Sequence, residues 1–362
     1  MRATVWMTLM ALLLASGGVV LAQSAQDAAT PATATPAKAV DMVFMPKFLG
    51  AAFHGHNSVS DLFEQAHRGA EQAAHDLRNP RPLQYTGPTV GGEAPTQIEG
   101  VKSAVRRGAK AIMISNNSGD DIVPVIKAAH DKGIKVVSWD SPLPADAGAD
   151  VLIAQVDFST SGTVLADMAL NILGADGGKF AILTIAPDNP GPGAWAKALT
   201  EVVKSPKYAK LDLVDVVYGQ GDPALSAKQA LALVAKHPDV KLIIAPDSAS
   251  ILAVAKTLQD RKLCDKVKVG GFGTPNEMRS YVLDGCVPQM ALWSFVDFGY
   301  LTYYTAYLLA TDAMKAEEGQ TFTAGRLGTY TIVKDRAPPH RLRVVLGPWR
   351  VYDNTTIGTA SD

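Results

Sequence analysis

The chain has 362 residues, room for two domains, and 47% of them are apolar, ample for a large core. Charged residues make up 19% and the net charge is −1, so no basic surface suggests a nucleic-acid partner. The first residues, MRATVWMTLMALLLASGGVVLAQSA, place one arginine ahead of an apolar run and end in Val-Leu-Ala before Gln23. This pattern predicts a secretory signal peptide over 1–22, cleaved after Ala22. A membrane anchor fits less well, because the apolar run is short for a span and Ser16-Gly17-Gly18 interrupts it. Residues 23–39 are low-complexity Ala/Thr/Pro and predict a disordered leader, with the folded part beginning near Val40.

From there strand and helix alternate. Strands are predicted at 40–46, 82–87, 110–115 and 135–140, with helices at 61–77 and 120–133. Asp120-Asp121 suits a helix N-terminus and Gly133 its end. The pattern then repeats, with strands at 151–157, 179–186, 213–219, 240–247, 266–273 and 289–295 and helices including 191–205 and 223–237. A helix at 298–316 and two short strands at 329–333 and 342–347 complete the chain. Short β-rich apolar runs between helices argue for parallel sheets covered on both faces. The expected fold class is α/β, with two doubly wound parallel-sheet lobes.

One stretch, GIKVVSWDSPLP over 133–144, sets the expected boundary. Its apolar strand delivers Trp139 and Asp140 to a tip, and Pro142 and Pro144 then bias their predecessors away from the α region. The segment reads as an extended crossing to a second sheet. This assigns 40–142 plus 297–326 to an N-terminal lobe and 143–296 plus 327–362 to a C-terminal lobe.

Ligands of open parallel sheets gather at the carboxyl ends of the strands. The residues there are Lys47, Asn116-Asn117, Trp139-Asp140 and Gln155 to Asp157, then Pro246-Asp247-Ser248, Phe272-Gly273 and Trp293. A carboxylate accepts from neighbouring hydroxyls of a polyol, and the C–H face of a sugar lies flat on an aromatic ring. Asp140 and Asp247 are the candidate acceptors, Lys47 the donor, and Phe53, Trp195 and Trp293 the faces. Each has a plainer role open to it: Asp247 as a helix cap, Trp195 and Trp293 as core.

Catalytic and metal chemistry find little support. No Gly-x-Ser-x-Gly elbow, Walker loop or dinucleotide fingerprint occurs, and Pro275 spoils the Gly-rich GGFGTPN. His54 and His56, with His67 and His75 downstream, read as surface or helix histidines rather than a metal site. In an exported chain, Cys264 and Cys286 either close one disulfide or stay as two separate buried thiols.

Four stretches together carry a resemblance: FMPKFLG, AIMISNNSGDDIVPVIKAAHDKGIKVVSWDS, IIAPDSASILAVAKTL and VGGFGTPNEMRSYVLDG. The sequence resembles the periplasmic binding proteins of ABC importers, and within them the branch with rhamnose-binding and autoinducer-2-binding (LsrB-like) members. The likeness runs from about residue 41 to about residue 357. It implies a type I periplasmic binding fold, two lobes on a three-crossing hinge that close on a sugar-like small molecule. It further implies a periplasmic location, a membrane ABC permease as partner, a monomer, and no enzyme activity or cofactor. A ligand sensor for a membrane receptor, without transport, is the alternative. Lys47 of the PK motif, Asp140 of WDS, and Pro246, Asp247 and Ser248 of APD match ligand-contact positions of the branch.

Two stretches depart from it. Relatives carry a polar DQNQW or NQNIW stretch where this chain has Gly191-Pro192-Gly193-Ala194 before Trp195. The loop AAFHGHNSVSD, 51–61, is longer than the relatives' aromatic turn, which brings His54, His56 and Asn57 toward the cleft. The first removes side-chain donors and acceptors from the second lobe, which argues against autoinducer-2 itself and weakens the case for rhamnose; together the departures imply a reshaped pocket for a larger or less polar ligand.

Overall fold

A computed structural model describes residues 38–47, 49, 59–88, 93–189, 191–335 and 339–360. The predicted signal peptide, nearly all of the predicted leader, and Phe53, His54, His56 and Asn57 lie outside the described residues.

The first sheet has seven strands in the order β13-β14-β5-β4-β3-β1-β2. Its centre is parallel: β1 (Met42–Met45), β3 (Ala111–Ile114), β4 (Lys135–Trp139) and β5 (Val151–Val156). β2 (Gln84–Tyr85) flanks β1, β14 (Leu342–Gly347) lies parallel to β5, and β13 (Val333–Lys334) closes the edge antiparallel to β14. All four residues of β1 and of β3 are buried, as a parallel sheet between two helical layers demands. Helices α1 (Val59–Asp76) and α9 (Phe295–Ala310) form one layer and α2 (Glu93–Arg106) and α3 (Val123–His130) the other.

The second sheet has six strands in the order β15-β10-β9-β8-β6-β7. Five run parallel: β6 (Gly178–Thr184), β7 (Leu211–Tyr218), β8 (Leu242–Ala245), β9 (Lys268–Phe272) and β10 (Gln289–Leu292). β15 (Arg350–Tyr352) pairs antiparallel with β10. Helices α4 (Ser161–Leu173) and α5 (Pro192–Val202) pack together, as do α6 (Pro223–Lys236) and α7 (Ser248–Asp260), which α8 (Pro275–Leu283) joins. A small hairpin, β11 (Thr321–Thr323) with β12 (Thr329–Thr331), forms a ladder of its own and leans on the first sheet, where Tyr330 Oη donates to the Leu346 carbonyl of β14 at 2.9 Å.

The two-lobe α/β architecture is as expected, but its boundary is not. β5 pairs with β4 through Val137↔Val151 and Trp139↔Ile153, so the chain returns to the first sheet after Pro142 and Pro144. The prolines bar a crossover helix; they do not send the chain elsewhere. The segment makes only a short 3-10 turn, Ala145–Ala147, and Gly148, at φ 82°, turns it toward β5. The crossing falls after Val156, between β5 and α4. The tail divides as well: β13 and β14 belong to the first sheet and only β15 to the second. Three crossings result, after β5, after β10 and after β14.

α9 is apolar on nearly every side and mostly buried, with Phe298, Tyr300, Leu301 and Tyr303 all at 0% exposure. It meets α1 at two reciprocal glycines. A Cβ on Gly299 would stand 1.7 Å from the Ala66 carbonyl oxygen, and one on Gly69 1.8 Å from that of Val296. The backbones touch there, which only glycine permits.

Cys264 and Cys286 are bonded to each other, with 22 residues of sequence separation, joining the turn after α7 to the approach to β10. Closing such a loop restricts the unfolded chain by about 3 kcal/mol. Reductant is therefore expected to lower the urea midpoint, and the Cys264→Ser, Cys286→Ser double variant to match the reduced protein. An unchanged midpoint on reduction would show that the bond adds nothing.

Candidate functional site

The carboxyl ends of β1, β3, β4 and β5 are neighbours because those strands are, and they bring four polar side chains together. Lys47 Nζ lies 3.0 Å from Asp140 Oδ2, with the two side chains 27% and 16% exposed. Ser115 Oγ donates to the same oxygen at 2.8 Å, and Gln155 Nε2 donates to Oδ1 at 2.8 Å. Asp140 is thus the hub of a group with a cation, a hydroxyl and an amide around it, in which Lys47 and Asp140 reach solvent while Ser115 and Gln155 are buried.

Local backbone geometry places the hub. Asp140 has φ 56°, in the left-handed region, which Asp tolerates better than most residues. The turn lets Ser141 N donate to Ser115 Oγ at 3.3 Å and its carbonyl accept from Asn116 N at 3.2 Å. Behind the loop, the fully buried Gln97 donates to Ser115 O at 2.9 Å. Its oxygen accepts from Asn117 N and Ser118 Oγ, each at 2.9 Å. A buried amide with its bonds satisfied holds a polar loop in one shape.

The second lobe differs. Asp247, 6% exposed, caps α7 by accepting from Ser250 N at 2.8 Å, and Thr184 Oγ1 reaches its other oxygen at 3.3 Å. Burial pushes its carboxyl above the usual range, against the pull of these bonds. Because the folded pKa is raised, ionising Asp247 opposes folding, and stability linked to it is lost as pH rises through that pKa. Asp247→Asn, which keeps a cap acceptor without the charge, is expected to be more stable than the wild type at neutral pH. That gain should vanish below about pH 4. Asp247→Ala should instead lose about 1 kcal/mol with the cap. Urea unfolding of both variants across pH checks this, and equal stability of Asn and wild type at neutral pH would refute it. Pro246 is buried beside Asp247, and Ser248 is half-buried at the start of α7.

Trp195 and Trp293 sit in a ring cluster with Phe158, Phe272 and Trp349, which Phe295 extends at 5.7 Å from Trp293. Phe158 stacks on Trp195 at 5.5 Å and meets Trp293 edge-on at 5.7 Å. Phe272 and Trp349 stack at 4.1 Å, and Trp195 stands edge-on to Phe272 at 5.4 Å. Phe272 and Trp349 are 2% and 8% exposed, whereas Phe158, Trp195 and Trp293 each keep part of their surface open. Phe158, Trp293 and Trp349 come from the three crossings, one ring from each.

Of the predicted site residues, Lys47, Asp140 and Gln155 meet in one hydrogen-bonded group, while Trp195 and Trp293 meet through Phe158. Asp247 takes the capping role weighed for it from sequence, and Phe53 lies outside the described residues. Sequence reading did not single out Ser115, Gln97, Phe158 or Trp349. Phe158 and Trp349 follow strand ends at crossings and were in principle readable; Ser115 and Gln97 matter only through distant partners. Among the described residues no group of three or more His, Cys, Asp or Glu is placed to hold a metal ion. His67 stacks on Tyr85 at 3.8 Å, and His75 is exposed.

Comparison with known proteins bears on this geometry. A family model described as a periplasmic binding protein domain matches residues 52–314. A crystal structure of a sugar ABC transporter from Actinomyces odontolyticus is 31% identical, covers 89% of this chain and 98% of its own, and superposes with a TM-score of 0.80. An ABC transporter solute-binding protein from Clostridium phytofermentas, with bound L-rhamnose, is 28% identical over 89% of this chain and 98% of its own, with a TM-score of 0.66. The D-allose-binding periplasmic protein of Escherichia coli is 24% identical over 62% of this chain and 72% of its own.

Proposed function

The chain belongs to the periplasmic binding protein family, and from that premise we propose that it is the solute-binding protein of an ABC importer, taking a sugar or sugar-like molecule between its lobes. The observation that carries this is the Asp140 group. A carboxylate held between an ammonium, a hydroxyl and an amide offers both acceptors and donors to vicinal hydroxyls. Lys47, Asp140 and Gln155 are the polar contacts of this reading, with the buried Ser115 holding Asp140 in place, and Trp195 and Trp293 are the apolar ones. Two or three charge-assisted bonds and one ring contact amount to about −8 kcal/mol, which is micromolar binding.

Ligand contacts from both lobes would favour the closed form, because only that form makes them together. A membrane permease then receives a monomeric, closed, loaded protein in the periplasm, to which the N-terminal signal peptide directs the chain. In this reading the Asp140 group binds and orients a solute rather than transforming it. A thermal-shift screen against sugars and polyols, followed by calorimetry, tests the reading. It expects at least one solute to raise the melting temperature and bind at micromolar concentration. No shift with any sugar or polyol would remove it.

A further inference from the structure

The Asp140 group stands on backbone that lies just past the paired strands. The β1–β3 register ends with Met45 opposite Ile114, and one more bond runs from Ser115 N to the Met45 carbonyl at 2.9 Å. Beyond that point a side chain takes over from the ladder. Gln97 of α2, at 0% exposure, donates from Nε2 to the Ser115 carbonyl at 2.9 Å and to the Pro46 carbonyl at 3.4 Å. One carbonyl follows β3 and the other follows β1.

The other end of the amide is used as fully. Gln97 Oε1 accepts from Asn117 N and Ser118 Oγ, each at 2.9 Å. Asn117 Nδ2 in turn reaches the Lys47 carbonyl at 3.5 Å. A primary amide has two N–H donors and an oxygen that accepts twice, so all four of its bonds are made here.

The tips that Gln97 joins are those that carry the partners of Asp140. Pro46 precedes Lys47, whose Nζ lies 3.0 Å from Asp140 Oδ2. Ser115 Oγ donates to the same oxygen at 2.8 Å. A cation and a hydroxyl therefore converge on one carboxylate oxygen because the main chain beneath them is pinned to one buried side chain. Gln97 itself has no surface to offer a solute.

We propose that Gln97 is a positioning residue of the solute site. It sets the spacing of Lys47 and Ser115, and through them the orientation of the Asp140 carboxylate, so its loss weakens binding without removing any contact to the solute. The inference deepens the sugar-binding reading and rests on it. Gln97→Met is the informative change, because Met fills much the same space and bonds to none of the four partners.

The first test needs no solute. In a crystal structure of Gln97→Met, the Lys47–Asp140 or the Ser115–Asp140 contact is expected to open beyond about 4 Å. Both contacts still within about 3.5 Å would overturn the proposal. The second is calorimetry with D-allose, L-rhamnose and D-arabinose. Any of these that binds wild type is expected to bind folded Gln97→Met about tenfold more weakly. Ser118→Ala, which removes one bond on the oxygen side only, should stay within about twofold of wild type. In an Asp140→Asn background, Gln97→Met should cost about threefold or less, because its effect runs through that carboxylate. Equal losses in both backgrounds would make Gln97 a purely structural residue and overturn the proposal. Gln97→Asn, one methylene shorter, carries the same comparisons if Gln97→Met does not fold. If none of the three sugars binds folded wild type, the crystal structure decides the positioning role, and the sugar reading stands or falls by its own screen.

Discussion

Gly299→Val is expected to leave little folded protein. Even the first carbon of the new side chain would stand 1.7 Å from the Ala66 carbonyl oxygen, and that atom is backbone, which cannot rotate away. α1 and α9 must separate, and the rings packed at 0% exposure along α9, Phe298, Tyr300 and Tyr303, lose their close neighbours. Overpacking a core typically costs about 1–3 kcal/mol. Here the obstacle is main chain on both sides, so a loss of about 4 kcal/mol or more is expected, a large part of the usual folding margin. Gly299→Ala should show most of the same effect, because the clash is with Cβ. Gly358→Ala, with nothing within 4 Å of its Cβ, is the control and should stay within about 0.5 kcal/mol of wild type. Urea midpoints and soluble yield decide the matter. A Gly299→Ala midpoint equal to that of wild type would mean that the helices are not in backbone contact.

Asp140→Ala should weaken the cognate solute by about 1.5–3 kcal/mol, roughly ten- to a hundredfold. Both carboxylate oxygens are bonded before any solute arrives, so the loss is twofold. The solute's hydroxyls lose their acceptor, and Lys47, Ser115 and Gln155 lose the group that orients them. Asp140→Asn separates the charge from the shape. Asn accepts the left-handed conformation that Asp140 adopts at φ 56°, so the turn should survive while a donor replaces one acceptor beside the lysine. Calorimetry with the solute found by screening measures both variants. Unchanged affinity in a folded Asp140→Asn protein would take this carboxylate out of the site.

Much of this architecture was legible because parallel strands covered on both faces must be apolar along their whole length. β1, β3 and β8 read as short runs without alternation, and each is a buried parallel strand. The lobe boundary was misread for an equally physical reason. Pro142 and Pro144 report that no helix follows Asp140, but a proline says nothing about which sheet the next strand joins. That choice is made by pairing partners far along the chain, with Leu152 opposite Arg343 and Ile153 opposite Val344. The site divides in the same way. Lys47 and Asp140 were visible because each ends an apolar run. Gln97 was hidden because it lies inside a helix, and only folding sets its amide against Ser115, Asn117 and Ser118.

The ring cluster at the crossings has an optical consequence. Three of the chain's five tryptophans, Trp195, Trp293 and Trp349, lie in that one cluster, with centroid separations of 6.4 Å and 5.7 Å from Trp349 to the other two. Indoles this close exchange excitation and sense the same surroundings. Native ultraviolet emission is therefore a built-in gauge of how the pivot is packed, readable without any attached dye.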